Sequence, residues 1–295
     1  MKIAKSILIF LSITALFGAC FNPPDISDKP EIGFDEISLY LKDSQPDSLV
    51  VTITFKDGNG DLGLDAGDST YISDPYHEKN YYIEKDGDLL PVASSFKYAG
   101  HPAVLKVPND LKCSTCKLAT VRTRKKPEYA NNTNLPPYAF PASCLNYFYT
   151  TLYIDEDDAS IFDDTYNLKD QITIGGSKVY VLLDTFYYQP NPNYYNIDVD
   201  FLVETTSGLF EVFDWRIQQG TCGSNFYGRF PVLSKQKTPL EGTLQYNIKS
   251  SGIVALLGNK KRIKLRITIR DRALHESNTI TSGIFTLTDI VKGTG

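Results

Sequence analysis

The chain of 295 residues carries 30 Lys and Arg against 35 Asp and Glu, a formal charge of −5, and has 19 Tyr and 16 Phe beside one Trp. An acidic balance with no basic stripe excludes nucleic acid as a partner, because polyphosphate binding depends on clustered Lys and Arg. The length suits one large or two ordinary domains, and two are expected.

Met1 to Lys5 holds two positive charges, and Ser6 to Phe17 follows as an apolar run too short to span a bilayer, ending in Gly18-Ala19 before Cys20. Residues 1–19 therefore read as a signal peptide. With Phe17 standing where the usual pattern has Leu, the stretch resembles a bacterial lipobox, which implies a diacylglyceryl group on the Cys20 thiol and anchoring in an outer membrane. Cleavage removes Lys2 and Lys5 and no acid, so the mature chain is more acidic still. Residues 20–30, polar and rich in proline, read as a lipidated tether.

From residue 31 onward strand signals dominate. Leu49, Val51, Ile53 and Phe55 alternate with polar or outward positions, a period of two that buries one face. Tyr81 to Glu84 and Leu89 to Val92 flank Lys85-Asp86-Gly87-Asp88, where Asp-Gly predicts a tight hairpin. Residues 122–143 break the pattern with the basic run Arg122 to Lys126 and four prolines. That run reads as a solvated loop or a contact for anionic headgroups. The expected division is an N-terminal sandwich over 31–125, a linker over 126–143 and a C-terminal sandwich over 144–295.

Beyond the linker, Ile172 to Ile174 and Val179 to Leu183 surround Gly175-Gly176-Ser177, and Ser160 to Leu168 is a candidate short helix. The set Ile197, Val199, Phe201, Val203 alternates with Asp198, Asp200 and Leu202, Leu209 to Phe213 follows a Ser-Gly turn, and Leu244, Tyr246, Ile248 precede Ile263, Leu265, Ile267, Ile269. The fold class is mainly β, an immunoglobulin-like antiparallel sandwich.

Three groups of residues could carry function. Asp57, Asn59, Asp61, Asp65 and Asp68 place oxygen donors in a Gly-rich loop suited to calcium, although Gly63 and Asp68 depart from an EF-hand and a strand precedes the loop. The competing reading is an Asp/Gly connection whose carboxylates cap local N–H groups. Cys113, Cys116, Cys144 and Cys222 are expected to form disulfides outside the cytoplasm, in any of three pairings, with zinc the weaker alternative. Tyr187, Tyr188, Tyr194 and Tyr195 bracket a proline-rich tip and offer an aromatic platform for a glycan or protein, unless they pack as core.

The acidic run Asp155 to Asp158 reads as a solvated face. His77, His101 and His275 lack ligand spacing, and no nucleophile elbow or phosphate loop occurs, so catalysis is not expected.

Phe55-Lys-Asp-Gly-Asn-Gly-Asp-Leu-Gly63 and Ile269-Arg-Asp-Arg-Ala-Leu-His-Glu-Ser-Asn278, with Phe213-Asp-Trp215 and Gly228-Arg-Phe-Pro-Val-Leu233 between, resemble a group of Bacteroidota outer-membrane lipoproteins. The resemblance implies an outer-membrane location and an immunoglobulin-like fold, and attaches no activity. Phe21-Asn22-Pro23-Pro24 lacks that phylum's acidic surface-export signal, which leaves the leaflet open. Asp47-Ser48-Leu49 and Asp68-Ser69-Thr70 match its short O-glycosylation pattern. The expected function is an interaction or scaffold module for an outer-membrane protein complex. The alternative is a surface glycan-binding accessory protein of a polysaccharide-uptake system.

Overall fold

The computed structural model describes residues 26–41, 46–95, 104–105, 107–113, 115–127, 131, 147–161, 171–214, 226–249 and 253–294. Cys20, Cys144, Cys222, Trp215 and most of the helix predicted at 160–168 lie outside them.

Alternating apolar residues produce β1 (Glu31–Leu41) and β2 (Ser48–Asp57), which are followed by β3 (Lys79–Lys85), β4 (Asp88–Ser95), β5 (Val104–Leu105) and β6 (Lys117–Leu118). Next come β7 (Tyr147–Asp155), β8 (Gln171–Ile174), β9 (Ser177–Pro190), β10 (Ile197–Glu204) and β11 (Phe210–Val212). The chain ends in β12 (Leu240–Lys249), the helical turn α1 (Ile253–Leu257), β13 (Ile263–Ile269), β14 (Ile280–Thr281) and β15 (Val291–Thr294). The fold is mainly β, with predominantly antiparallel sheets, as the sequence predicts.

Two four-stranded sheets, in the orders β12-β2-β1-β15 and β11-β10-β13-β14, pack face to face. Leu49, Val51, Ile53 and Phe55 of β2 point inward with Leu244 and Ile248 of β12, and meet Ile197, Val199, Phe201, Ile263, Leu265, Ile267 and Ile269. Each aliphatic side chain so buried contributes about 1.5–3 kcal/mol, which makes the alternation the main determinant of this core. Outward residues of β10 pair with β13 and the residue that follows it, Asp200 with Arg266 at 2.6 Å and Asp198 with Arg270 at 2.9 Å. Both register and charge thus favour the same pairing.

The third sheet runs β6-β3-β4-β5-β7-β9-β8, and β3 also pairs with β9 through Lys79↔Pro190, Asn80↔Gln189 and Tyr81↔Tyr188. That extra pairing closes β3, β4, β5, β7 and β9 into a ring, a small barrel whose strands satisfy one another and leave few open edges. Tyr81, Ile83, Val92, Leu105, Leu152, Ile154, Leu182, Phe186 and Tyr188 fill it. The hairpin expected at Asp86-Gly87 forms, and Gly175-Gly176 makes another between β8 and β9. Asp86 and Gly87 have φ of 52° and 93°, and Gly175 and Gly176 have φ of 58° and 84°. Two consecutive positive φ values match the right-handed twist of the flanking strands.

The strand pairing does not follow the division expected at 126–143. β1 and β2, from the beginning of the chain, complete a sandwich with β10 to β15, while β3 to β9 form the barrel between them. A stretch over 31–125 would hold only part of each core. Alternation reveals which face of a strand is buried, and says nothing of which distant strand lies beside it.

The barrel and the sandwich meet at Arg229. Its Nε donates to Tyr194 O at 2.6 Å, and its Nη2 donates to Tyr71 O at 2.5 Å and Tyr76 O at 3.2 Å. The guanidinium also stacks 4.5 Å from the Tyr194 ring. Nearby, buried Asn196 imitates a strand, donating to Phe230 O and accepting from Phe230 N at 3.1 and 2.9 Å.

Candidate metal centre

The loop after β2 and the turn after β13, far apart in sequence, lie against each other. Leu62 bridges to Asp271, Arg272 N donates to Asp61 O at 3.1 Å, and Arg272 Nη1 donates to Leu62 O at 3.1 Å. The turn is held at its far end by Asn278, which accepts from Ile32 N at 2.7 Å and donates to Ile32 O at 2.9 Å. The two motifs that carry the family resemblance therefore build one place in the structure.

Glycine is required in this loop by close approach. A Cβ on Gly58 would sit 2.1 Å from Ile26 O, and one on Gly63 would sit 2.1 Å from Pro231 O at a φ of 101°. Asp57 is 0% exposed and Asp271 is 1% exposed.

One carboxylate oxygen from each of Asp57, Asp61 and Asp271 lies within 4.8 Å of the other two. Asp57 Oδ2 and Asn59 Oδ1 both accept from Asp61 N, at 2.8 and 3.1 Å. Asp271 accepts from His275 N and from the His275 ring, each at 2.8 Å. Asp57 Oδ1 and Asp61 Oδ1 are buried with no hydrogen-bond partner.

Burial, with the Asp61 charge next, pushes the Asp57 carboxyl up to about 6, and burial followed by Asp271 raises Asp61 against the pull of Arg272 and His275. Because the folded carboxyl of Asp57 holds its proton to higher pH than the unfolded one, its favourable contribution is complete below about 4. It is lost as pH rises through about 6. In chelator-containing buffer Asp57→Asn is therefore expected to gain on the wild type between pH 4.5 and pH 7, by an amount on the order of 2 kcal/mol. Urea melts at the two pH values check this, and an unchanged difference would refute it.

Of the five oxygen donors expected in a linear loop, the structure brings Asp57 and Asp61 together and sets Asn59 as a brace. Asp65 and Asp68 turn away and are exposed. Asp65 accepts from Gly67 N at 2.9 Å, and Asp68 accepts from Thr70 N at 2.8 Å as the cap of a short 3-10 turn. Those two follow the local-capping alternative. Asp271 was not in the expected set, because loop spacing carries no information about a residue on another strand. Its signal was the motif Asp271 to Asn278 itself.

The other candidate residues separate clearly. Tyr187 and Tyr188 are 1% and 5% exposed. Tyr187 packs outside the barrel against Tyr82 and Tyr147, at 5.0 and 5.4 Å between centroids, beside Ala119 and Val121, and Tyr188 fills the inside. Tyr194 and Tyr195 are half-buried, edge to face at 4.8 Å, and burial pushes the Tyr195 hydroxyl up to about 12. Tyr187 and Tyr188 are packing, since a buried ring offers no face to a ligand, whereas Tyr194 and Tyr195 keep part of their surface exposed.

Cys113 and Cys116 form a disulfide, with Cys116 fully buried in the barrel core. The basic run is engaged in structure, as Arg122 pairs with Asp184 and Lys126 with Glu84 at 2.7 Å. Within the acidic run, Asp158 is buried, accepts from Val107 N at 3.2 Å and pairs with Lys112, unlike a solvated face. Ser48 is 6% exposed and donates to Asn247 at 2.6 Å, which shields that glycosylation match, whereas Ser69 is exposed.

Comparison of the chain with protein-family models, curated proteins and solved structures returns no match. Among the described residues no helix is long and apolar enough to cross a membrane.

Proposed function

We propose that the chain is a non-catalytic, lipid-anchored binding module of a Gram-negative outer membrane, which docks through the outer face of β7 and β9 on a membrane-protein partner. The observation that carries this reading is the pair Tyr149 and Leu183, exposed to 63% and 56% on neighbouring strands. Tyr149 lies opposite Thr185 and Leu183 opposite Thr151, so the two side chains are diagonal neighbours on one face. With Tyr153 opposite Val181, that face reads Tyr, Thr, Tyr against Val, Leu, Thr over three successive pairs, and its first charge is Asp155, opposite Val179 at the end of β7.

An antiparallel strand exposed to water ordinarily carries polar or charged residues outward. A contiguous apolar and aromatic strip in their place marks a surface meant to be covered, and tyrosine suits interfaces because it buries area while its hydroxyl stays wet. Anchoring rests on the Cys20 pattern and the polar tether after it.

The test is mild-detergent purification from the native outer membrane, comparing wild type with the double variant Tyr149→Asp, Leu183→Asp. The wild type is expected to bring one stoichiometric membrane protein, and the variant to lose it, with affinity falling by roughly 30-fold or more if these are central contacts. The exposed Tyr149 ring also supports the glycan reading. A wild type that purifies alone, but is retained on an oligosaccharide array through Tyr149, would replace the first reading with the second.

A further inference from the structure

The centre formed by Asp57, Asp61 and Asp271 lacks the groups that would balance it. Three carboxylates share a space within 4.8 Å, two of them on residues with no more than 1% exposure. The cations nearby are already committed. Arg272 directs Nη1 to the Leu62 and Gly63 carbonyls at 3.1 and 3.4 Å, and His275 directs Nδ1 to Asp271 Oδ2 at 2.8 Å. Neither supplies a donor to Asp57 Oδ1 or Asp61 Oδ1, which stand buried and unpartnered. Isolated buried carboxylate oxygens are costly, and the usual remedies are a proton, a paired cation or a metal ion.

We propose that Asp57, Asp61 and Asp271 bind one divalent cation, calcium, which joins the loop after β2 to the turn after β13. The ligands are hard oxygens, which select calcium or magnesium over zinc or copper. Calcium is favoured because it accepts an irregular set of oxygen ligands, whereas magnesium demands a near-ideal octahedron. The Asn59 amide oxygen, held beside Asp61 N, is a fourth donor within the same loop.

The position of the ion explains why both motifs are needed. Asp57 and Asp61 come from one and Asp271 from the other, and the segment Ile26 to Asp28 lies on the loop through Gly58 N donating to Ser27 O at 2.8 Å. An ion here fixes the beginning of the sandwich to its last sheet. The site is independent of the docking face on β7 and β9, so either proposal can fail without the other.

Isothermal titration of the full mature chain, stripped with EGTA and then given calcium chloride, tests the site together with thermal melting in EGTA and in calcium. One calcium per chain and a calcium-dependent rise in melting temperature are expected. Asp61→Asn and Asp271→Asn should weaken uptake at least tenfold, while Asp65→Asn and Asp68→Asn should leave it unchanged. In EGTA the Asp61→Asn chain should melt no lower than wild type, since the substitution removes a repelling charge, and this separates lost binding from lost folding. No saturable uptake by the wild type up to about 10 mM calcium, a range that covers extracellular-type sites, overturns the proposal. So does uptake that survives Asp271→Asn unchanged.

Discussion

Gly63→Ala is expected to destabilise the protein by about 2–5 kcal/mol. The left-handed backbone at φ 101° costs a residue with a Cβ about 1–2 kcal/mol. The new methyl would stand 2.1 Å from Pro231 O and 2.5 Å from Val232 Cα, both backbone atoms that no rotamer change can move. Overpacking of that kind adds about 1–3 kcal/mol. Against a total stability of about 5–15 kcal/mol the loss is large, and thermal melting should fall by roughly 10 °C or more. Gly87→Ala is the control, since its φ is 93° and nothing lies within 4 Å of a Cβ there. It should show the backbone penalty alone, and equal losses in the two variants would remove the argument from close approach.

The second large effect is at Arg229. Its replacement by Met keeps the apolar stem and withdraws donors from three backbone carbonyls, those of Tyr194, Tyr71 and Tyr76, as well as the stacking on Tyr194. A hydrogen bond from a charged group contributes about 1.5–3 kcal/mol, and partial burial lets water replace some of it. The expected loss is about 3–4 kcal/mol. Arg229→Lys should recover little, because one ammonium cannot serve the carbonyls that a planar fork reaches together. Because these carbonyls belong to the junction of barrel and sandwich, calorimetry should also show the single transition broadening or splitting. A melt within 1 kcal/mol of wild type for Arg229→Met, about the size of an ordinary surface substitution, would contradict this account.

Much of the fold was legible where a local rule decides it. The alternation of Leu49 to Phe55 and of Ile263 to Ile269 gave the inward faces, and Asp86-Gly87 gave its hairpin, because period and turn chemistry act over a few residues. Pairing across the chain was not legible. Nothing in β2 announces β12 as its neighbour, and so the sandwich assembled from both ends was missed. Tyr187 and Tyr188 show the same gap, since a tyrosine that serves a core and one that serves a ligand have the same neighbours in sequence. In the cluster of carboxylates, Asp57 and Asp61 were visible from loop spacing, and Asp65 and Asp68 were not distinguishable from them until their local N–H partners were seen. Asp271 became intelligible only when its motif was placed against Leu62.

The pairing of Lys79 with Pro190 has a wider consequence. The barrel leaves and rejoins the rest of the chain at two strands that lie side by side, about 5 Å apart. From the standpoint of the sandwich, everything between those residues is a single excursion that begins and ends at one point, like a head on a short neck. Closing an excursion costs only about 0.6 kcal/mol more for each doubling of its length, so its size hardly matters to the part that holds it. Selection could therefore remodel or exchange the head while the base keeps its own core unaltered.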